Sequence, residues 1–408
     1  MSGPLAGILV LDLTRILAGP WATQLLADLG AEVIKVERPD GGDDTRHWGP
    51  PYLKEPAGND TTESAYSLST TRGKRSAAID LREPEGQALV RDLAAKADVL
   101  MENFKVGGLA RYGLAWSDLE PVNPRLVYLS ISGFGQDGPQ AGGIGYDAMI
   151  QAMGGLMSIT GPADDEPGGG PQKVGVAVAD LMCGMYAVTA ILAALYERVS
   201  SGRGQYIDLA LLDSQVAWLA NQNLNYLLTG RPPGRQGTAH PNIVPYQSFR
   251  TADGHIMVAV GNDAQFRRFC SVLELDGLPD HADFRSNQQR VANRGRLVPL
   301  LAGRLRERAT TTWLDLLRSA DVPCGPINDL AEVFREPQIQ HRGLRIELPH
   351  PLAGSVPGVG NPLRFSRTPI ACGQAPPLLG ADTDDVLREH LGMPESRLAE
   401  LRRRGVIL

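Results

Sequence analysis

The sequence predicts an α/β fold in which a large domain built on a parallel sheet is joined to a smaller α+β domain. Three observations carry this. Strand and helix patterns alternate through the first half, beginning with a complete strand-helix-strand unit that closes at Pro39. The texture changes near residue 231, where turn residues crowd into "RPPGRQGTAHPNIVPYQSF". The chain has 408 residues, more than one hydrophobic core usually serves.

Taken in order, "GILVLDLT" reads as a short buried strand. "GPWATQLLADLG" reads as a helix with Pro20 near its first turn and Gly30 at its end. "AEVIKVERP" is a second strand, closed by Arg38-Pro39. Two strands joined through a helix lie parallel. The rhythm repeats in "KRSAAIDL" (strand), "EPEGQALVRDLAAKA" (helix), "DVLMENF" (strand) and "RLVYLSISGFG" (strand into a glycine loop). "VGVAVADLMCGMYAVTAILAALYER" is a long apolar helix, and "SGRGQYIDLALLDSQVAWLANQNLNYLLTG" is a strand followed by one long helix. "SFRTADGHIMVAVG" is a hairpin turning at Asp253-Gly254. The expected division is a large domain of residues 1–225 with 331–408 and a small domain of 230–330.

Composition excludes several classes. The net charge of −6 argues against nucleic acid as a partner. Cys183, Cys270, Cys324 and Cys372 are scattered without ligand spacing, so no metal site or disulfide framework is expected, and a cytoplasmic location is. The N-terminus has no basic leader, and the uncharged run Leu181 to Tyr196 falls short of the roughly 20 residues that span a bilayer, so no membrane partner is expected. The 46 Gly and 30 Pro fall in no low-complexity run and point to tight turns.

The first strand-helix turn, "TRILAGPW", lacks the G-x-G-x-x-G that lets backbone approach a pyrophosphate. Glu37 is therefore better read as a polar strand end than as a ribose ligand of NAD or FAD. Asp180 poses the sharper question. A lone carboxylate in an apolar run costs several kcal/mol unless something pairs with it. From the residues alone it reads first as an N-cap of the long helix. The competing reading is a nucleophile kept away from water.

Several blocks decide between them: "VLDLTRILAGPWATQLLADLGAEVIKVERP", "GDDTRHWGPP", "RGKRSAAIDL", "ENFKVGGLARYGL", "ISGFGQDGP", "GYDAMIQAMGG", "VGVAVADLMCG" and "GRGQYIDLALLDSQVA". In this order they resemble the class III CoA-transferase family (CaiB/BaiF type), which also holds formyl-CoA transferase, carnitine CoA-transferase and α-methylacyl-CoA racemase. "GTAHPNIVPYQSF", "DVPCGPINDLAEVFREPQ" and "PPLLGADT" look most like its dicarboxylate branch, whose members move CoA from succinyl-CoA to glutarate. The resemblance implies a Rossmann-like large domain, linkers near 200–230 and 320–345, and a homodimer of interlocked rings. It implies CoA thioester as substrate and no bound cofactor. Other acceptors within the branch are itaconate, mesaconate and hydroxymethylglutarate.

By the same resemblance Asp180 is the nucleophile. An aspartyl anhydride and then an enzyme-CoA thioester keep the acyl group activated, which an ester to serine would not. The N-cap and nucleophile roles are compatible, since helix N-terminal amides favour an ionised carboxylate. Tyr146 stands where the racemase branch has histidine; a phenol of pKa about 10 is a poor base, which favours transfer over racemisation. It is assigned to the acyl site, its plainer reading being a packed aromatic at a helix start. Asp147 reads either as an acyl-site residue or as a cap of its own helix. Arg38, Arg72, Lys74, Asn103, Phe104 and Arg111 match residues that hold the phosphates and adenine of CoA, a task suited to guanidinium forks and an aromatic face. Here "TRGKRS" departs from the family's commoner Asn-Arg-Asn-Lys-Arg. Arg15 and Leu17 replace the His and Gln of formyl-CoA transferase; the lost Gln disfavours formate and oxalate, and an Arg suits a second carboxylate. His240 sits on a loop that replaces a glycine-rich loop and is the remaining substrate-contact residue, although a lone loop histidine is more often structural.

Overall fold

In the computed structural model, which describes residues 3–370 and 372–408, the first and larger unit is organised by a six-stranded parallel sheet. In chain order its strands are β1 (Leu9–Asp12) and β2 (Glu32–Glu37), then, after a small hairpin of β3 (Tyr52–Lys54) and β4 (Asp60–Ser64), β5 (Arg75–Ala78), β6 (Val99–Glu102), β7 (Val127–Ser132) and β8 (Tyr206–Ala210). The sheet order is β5-β2-β1-β6-β7-β8, and every neighbouring pair is parallel.

Alternation along each strand feeds two cores. Leu11, Ile34 and Leu100 enter one face, while Val10, Val33, Val99 and Met101 enter the other. Helix α1 (Ala18–Asp28) covers the second face. The first is covered by α2 (Pro84–Ala94), which starts with Pro84 where proline costs nothing, and by the C-terminal α9 (Thr383–Leu391) and α10 (Glu395–Arg403). After α3 (Asp147–Met153) the chain forms α4 (Val178–Ser201), whose Cys183, Ala187, Ile191 and Leu195 lie in the α1 core.

By length and composition α4 could cross a membrane. Its buried charges suit a core helix better: Arg198 is ion-paired to Asp98 at 2.7 Å and donates to the Arg125 carbonyl at 2.8 Å. Gly184 allows the close approach to α1, because a Cβ there would meet the Ala18 carbonyl oxygen at 2.8 Å. The segment expected to be one long helix is two: α5 (Leu211–Trp218) ends before Ala220, whose φ of +48° is left-handed, and a second helix begins at Asn221.

The smaller unit comprises Leu156–Lys173 with Leu224–Pro337. Residues 156–173 were expected in the large domain; they pack instead with this unit, where Gly237 donates to the Gly161 carbonyl and Arg235 pairs with Asp164. Its sheet runs β11-β10-β9, built from β9 (Tyr246–Arg250), β10 (His255–Ala259) and β11 (Cys324–Pro326), all antiparallel. Helices α6 (Asp263–Val272), α7 (Arg294–Leu305) and α8 (Thr310–Ser319) close its core over Phe249, Phe266, Phe269 and Trp313. Gln338–Leu408 returns to the larger unit through the hairpin of β12 (Arg345–His350) and β13 (Gly354–Val359).

Candidate active site

Between β1 and β6 the strand order reverses, and α/β sheets bind ligands in the crevice outside the carboxyl ends of such strands. Here the crevice is floored by buried charge. Asp12 is fully buried; burial alone would raise its carboxyl, yet Lys74 at 3.0 Å, Lys35 and two threonine hydroxyls hold it down at about 2. Lys35 ion-pairs with Asp43 at 3.0 Å and donates to the Thr14 carbonyl.

On this floor stands the loop Thr14–Leu17. Asn103, just past β6, accepts from the Arg15 amide at 2.9 Å and donates to the Arg15 carbonyl at 2.7 Å. Asp43 accepts from the Ile16 amide, and Ile16 carries a φ of +73°, a strained conformation for a β-branched residue. The loop aims Arg15 over the ring of Phe104, 5.3 Å from its centroid.

Two cavities meet at Arg15 and Phe104. One, of about 420 Å³, runs past Arg38, Gly108, Arg111 and Tyr112. The other, of about 250 Å³, is lined by Leu17, Ala18, Gly133, Tyr146 and Asp180. Asp44 ties Arg38 at 2.6 Å and Arg15 at 3.8 Å, holding two guanidinium groups at the seam. Arg111 lies over Tyr112.

Asp180 is not the N-cap. The helix starts two residues earlier with Ala177 at the cap position, and Asp180 lies in its first turn. The amides that open the helix are engaged elsewhere: Val178 donates to the Val176 carbonyl, and Ala179 donates to Asp147 Oδ1 at 2.9 Å. Among the described residues no donor reaches the Asp180 carboxyl, and it is 9% exposed. Burial first, then the charge of Asp147, push it up to about 7, opposite to the depression a capping role would produce. Asp147 thus caps the neighbouring helix α4 rather than its own.

The other expected residues divide. Arg15, Leu17, Arg38, Phe104, Arg111 and Tyr146 line the joined cavities, with Tyr146 58% exposed beside loop 140–145; Gly145 and Gly133 pass so closely that a Cβ on Gly145 would meet the Gly133 Cα at 2.6 Å. Asn103 lines the smaller cavity, with its side-chain amide committed to Arg15.

Arg72 and Lys74 do not face this space. Arg72 forks onto Asp28 and donates to the Val359 carbonyl, while Lys74 is held by Asp12, Thr23 and the Pro20 carbonyl. Both side chains are committed to partners inside the fold, away from the two cavities where CoA contacts were expected. Glu37, on the wall of the larger cavity, is engaged by both arms of Arg46 and by Ser76. His240 belongs to the smaller unit, where its Nδ1 accepts from the Asn242 amide and its ring lies against Tyr246. Sequence reading missed Ile16, Asp43, Gln151 and Tyr66. The Tyr66 hydroxyl, raised to about 12 first by burial and next by Asp180 and Asp147, marks a phenol near both carboxylates.

A buried carboxylate in a cavity that shares Arg15 with a guanidinium-lined groove suits transfer of an acyl group held as a CoA thioester. Residues 5–383 match CoA-transferase family III, and the chain belongs to that family. It is 51% identical over 391 residues to the succinate–glutarate CoA-transferase of Agrobacterium fabrum, covering 95% of each chain. It is 45% identical over 404 residues to the succinyl-CoA:glutarate CoA-transferase of Homo sapiens, covering 99% of this chain and 90% of that one. A crystal structure of a CaiB/BaiF family protein from Brucella suis superposes with a TM-score of 0.84 at 46% identity, over 96% of this chain and all of the other.

Proposed function

We propose that this enzyme moves CoA from succinyl-CoA to glutarate through Asp180. The observation that carries the mechanism is the Asp180 carboxyl, buried, without a donor and opening onto the cavity shared with Arg15. Asp180 attacks the succinyl carbonyl, the C–S bond breaks and CoA leaves as thiolate. The thiolate then attacks the Asp180 carbonyl of the mixed anhydride, releasing succinate and leaving an aspartyl-CoA thioester. Glutarate repeats these steps in reverse, leaving as glutaryl-CoA and restoring the carboxylate. Water would hydrolyse both intermediates, and burial of the Asp180 carboxyl disfavours its approach.

Support for the acceptor comes from the two named relatives and from Arg15, whose guanidinium suits the second carboxylate of a dicarboxylic acid. Arg38 and Arg111 would meet phosphate, and Phe104 the adenine. The same reading includes a homodimer of interlocked chains, supported by the exposed apolar residues Met185, Tyr186, Leu192, Tyr196 and Val199 along α4. Four unpaired cysteines suit a cytoplasmic protein.

The test is a screen of succinyl-CoA against glutarate, itaconate, mesaconate and hydroxymethylglutarate, read by product mass. Glutaryl-CoA should dominate, and the wild-type protein given succinyl-CoA alone should gain the mass of CoA less one water on Asp180. Transfer without that adduct, or full activity in Asp180→Asn, would remove the mechanism. A preference for another acid would replace glutarate and leave Asp180 in place.

A further inference from the structure

Asp180 would ordinarily accept from the amides of its own helix turn, as first-turn carboxylates do. In this chain a second carboxylate does so instead. Asp147 Oδ1 accepts from the Ala179 amide at 2.9 Å, and its Oδ2 accepts from Gln151 Nε2 at 2.7 Å. Gln151 is fully buried, and its Oε1 accepts from the Val174 amide at 2.9 Å. The relay from Val174 through Gln151 and Asp147 to Ala179 therefore fixes both ends of the strand of chain that leads into α4. Because Gln151 is locked by an amide on one side, its NH₂ can only point at an acceptor, which a carboxylate supplies.

We propose that Asp147, oriented by Gln151, is a positioning residue for the nucleophile: it occupies the helix amide next to Asp180 and so leaves both oxygens of Asp180 uncommitted for the acyl carbon. This rests on the reading of Asp180 as the nucleophile, and it assigns Asp147 a contact with the protein rather than with the acyl group. The ionisable groups around Asp180 are Asp147, Tyr66, Cys183 one turn along α4, and Arg15, Asp44, Lys105 and Tyr146 on the wall of the same cavity. Asp147 is the one that both shares the helix terminus and opposes ionisation of the nucleophile.

The experiment follows single-turnover formation of the aspartyl-CoA adduct from succinyl-CoA alone, across pH, so that the choice of acceptor plays no part. In Asp147→Ala the plateau rate should fall on the order of ten- to a hundredfold while KM for succinyl-CoA changes less than about threefold, because orientation rather than binding is lost. Asp147→Asn keeps an acceptor for Ala179 but sets an NH₂ against the NH₂ of Gln151; its acid limb should move to lower pH, since a negative neighbour of Asp180 is gone. The exchanged pair Asp147→Asn with Gln151→Glu restores the contacts to Ala179 and Val174 and between the two side chains, giving up only the long 3.4 Å bond from Gln151 to the Val176 carbonyl, and should recover the plateau rate to within about threefold. An Asp147→Ala protein that forms the adduct at the wild-type rate, or an Asp147→Asn protein with an unmoved acid limb, overturns the proposal. If wild-type protein forms no adduct on Asp180, the catalytic reading fails first and this inference goes with it.

Discussion

The carboxyl of Asp180 is pushed up to about 7, first by burial and then by Asp147, so its ionised form is a cost to the folded state. The sign follows from proton binding. Between the ordinary carboxylate value of 3.8 and about 7, the folded chain holds the proton and the unfolded chain does not, so stability falls as pH rises through that window. Above it the penalty is complete, on the order of a few kcal/mol. Asp180→Asn should therefore be more stable than wild type at pH 8, and the gain should shrink toward nothing near pH 4, while transfer is lost. Urea midpoints of the two proteins at several pH values test this; equal midpoints at pH 8 would mean that the carboxylate is satisfied by something other than substrate. Ile16 is strained in the same sense, held at φ +73° by Asp43 while Asn103 grips the residue before it. A site ready to react is here a site that opposes folding, and surrounding ion pairs hold it in place.

Elements were legible where burial is two-sided. Strands of a parallel sheet read as apolar runs, and the βαβ rhythm from β1 to β7 follows directly. What stayed hidden depends on partners far along the chain. The cap of α4 comes from Asp147, 32 residues from the amide it accepts, so an Asp before an apolar run was read as its own cap. The basic loop "TTRGKRS" looks solvent-facing until Asp28 and Asp12, 44 and 62 residues away, are placed against it. Likewise nothing in "VAWLANQNL" signals the left-handed Ala220 that divides one expected helix into two. The pairing of Arg72 has a direct consequence. It ties α1 to β13, and removing one partner of a buried pair leaves an uncompensated charge, costing about 3–5 kcal/mol. Arg72→Ala should lower the melting temperature strongly and leave KM for succinyl-CoA near wild type in the protein that remains folded. A raised KM with unchanged melting would return Arg72 to the CoA groove.

For the whole molecule, the long helix α4 carries two demands on opposite faces. Its inner face packs on the sheet and presents Asp180, while its outer face leaves Tyr196 and Val199 more than four-fifths exposed. Apolar side chains that exposed on a long apolar helix are a liability for an isolated chain and suit an interface. If the partner is a second copy threaded through the first, as the family resemblance implies, separation requires the chain to unfold rather than two surfaces to part. Exchange between dimers would then be limited by unfolding, which for stable folds takes hours to days, rather than by an ordinary off-rate. Two preparations of the enzyme, one carrying an affinity tag, should remain unmixed for days in native buffer and should form mixed dimers only after joint unfolding in denaturant and refolding. Tyr196→Glu should act at the same step, lowering the yield of refolded dimer by placing a charge on this exposed apolar face. Mixed dimers appearing within minutes of simple mixing would show that the copies meet through surfaces alone.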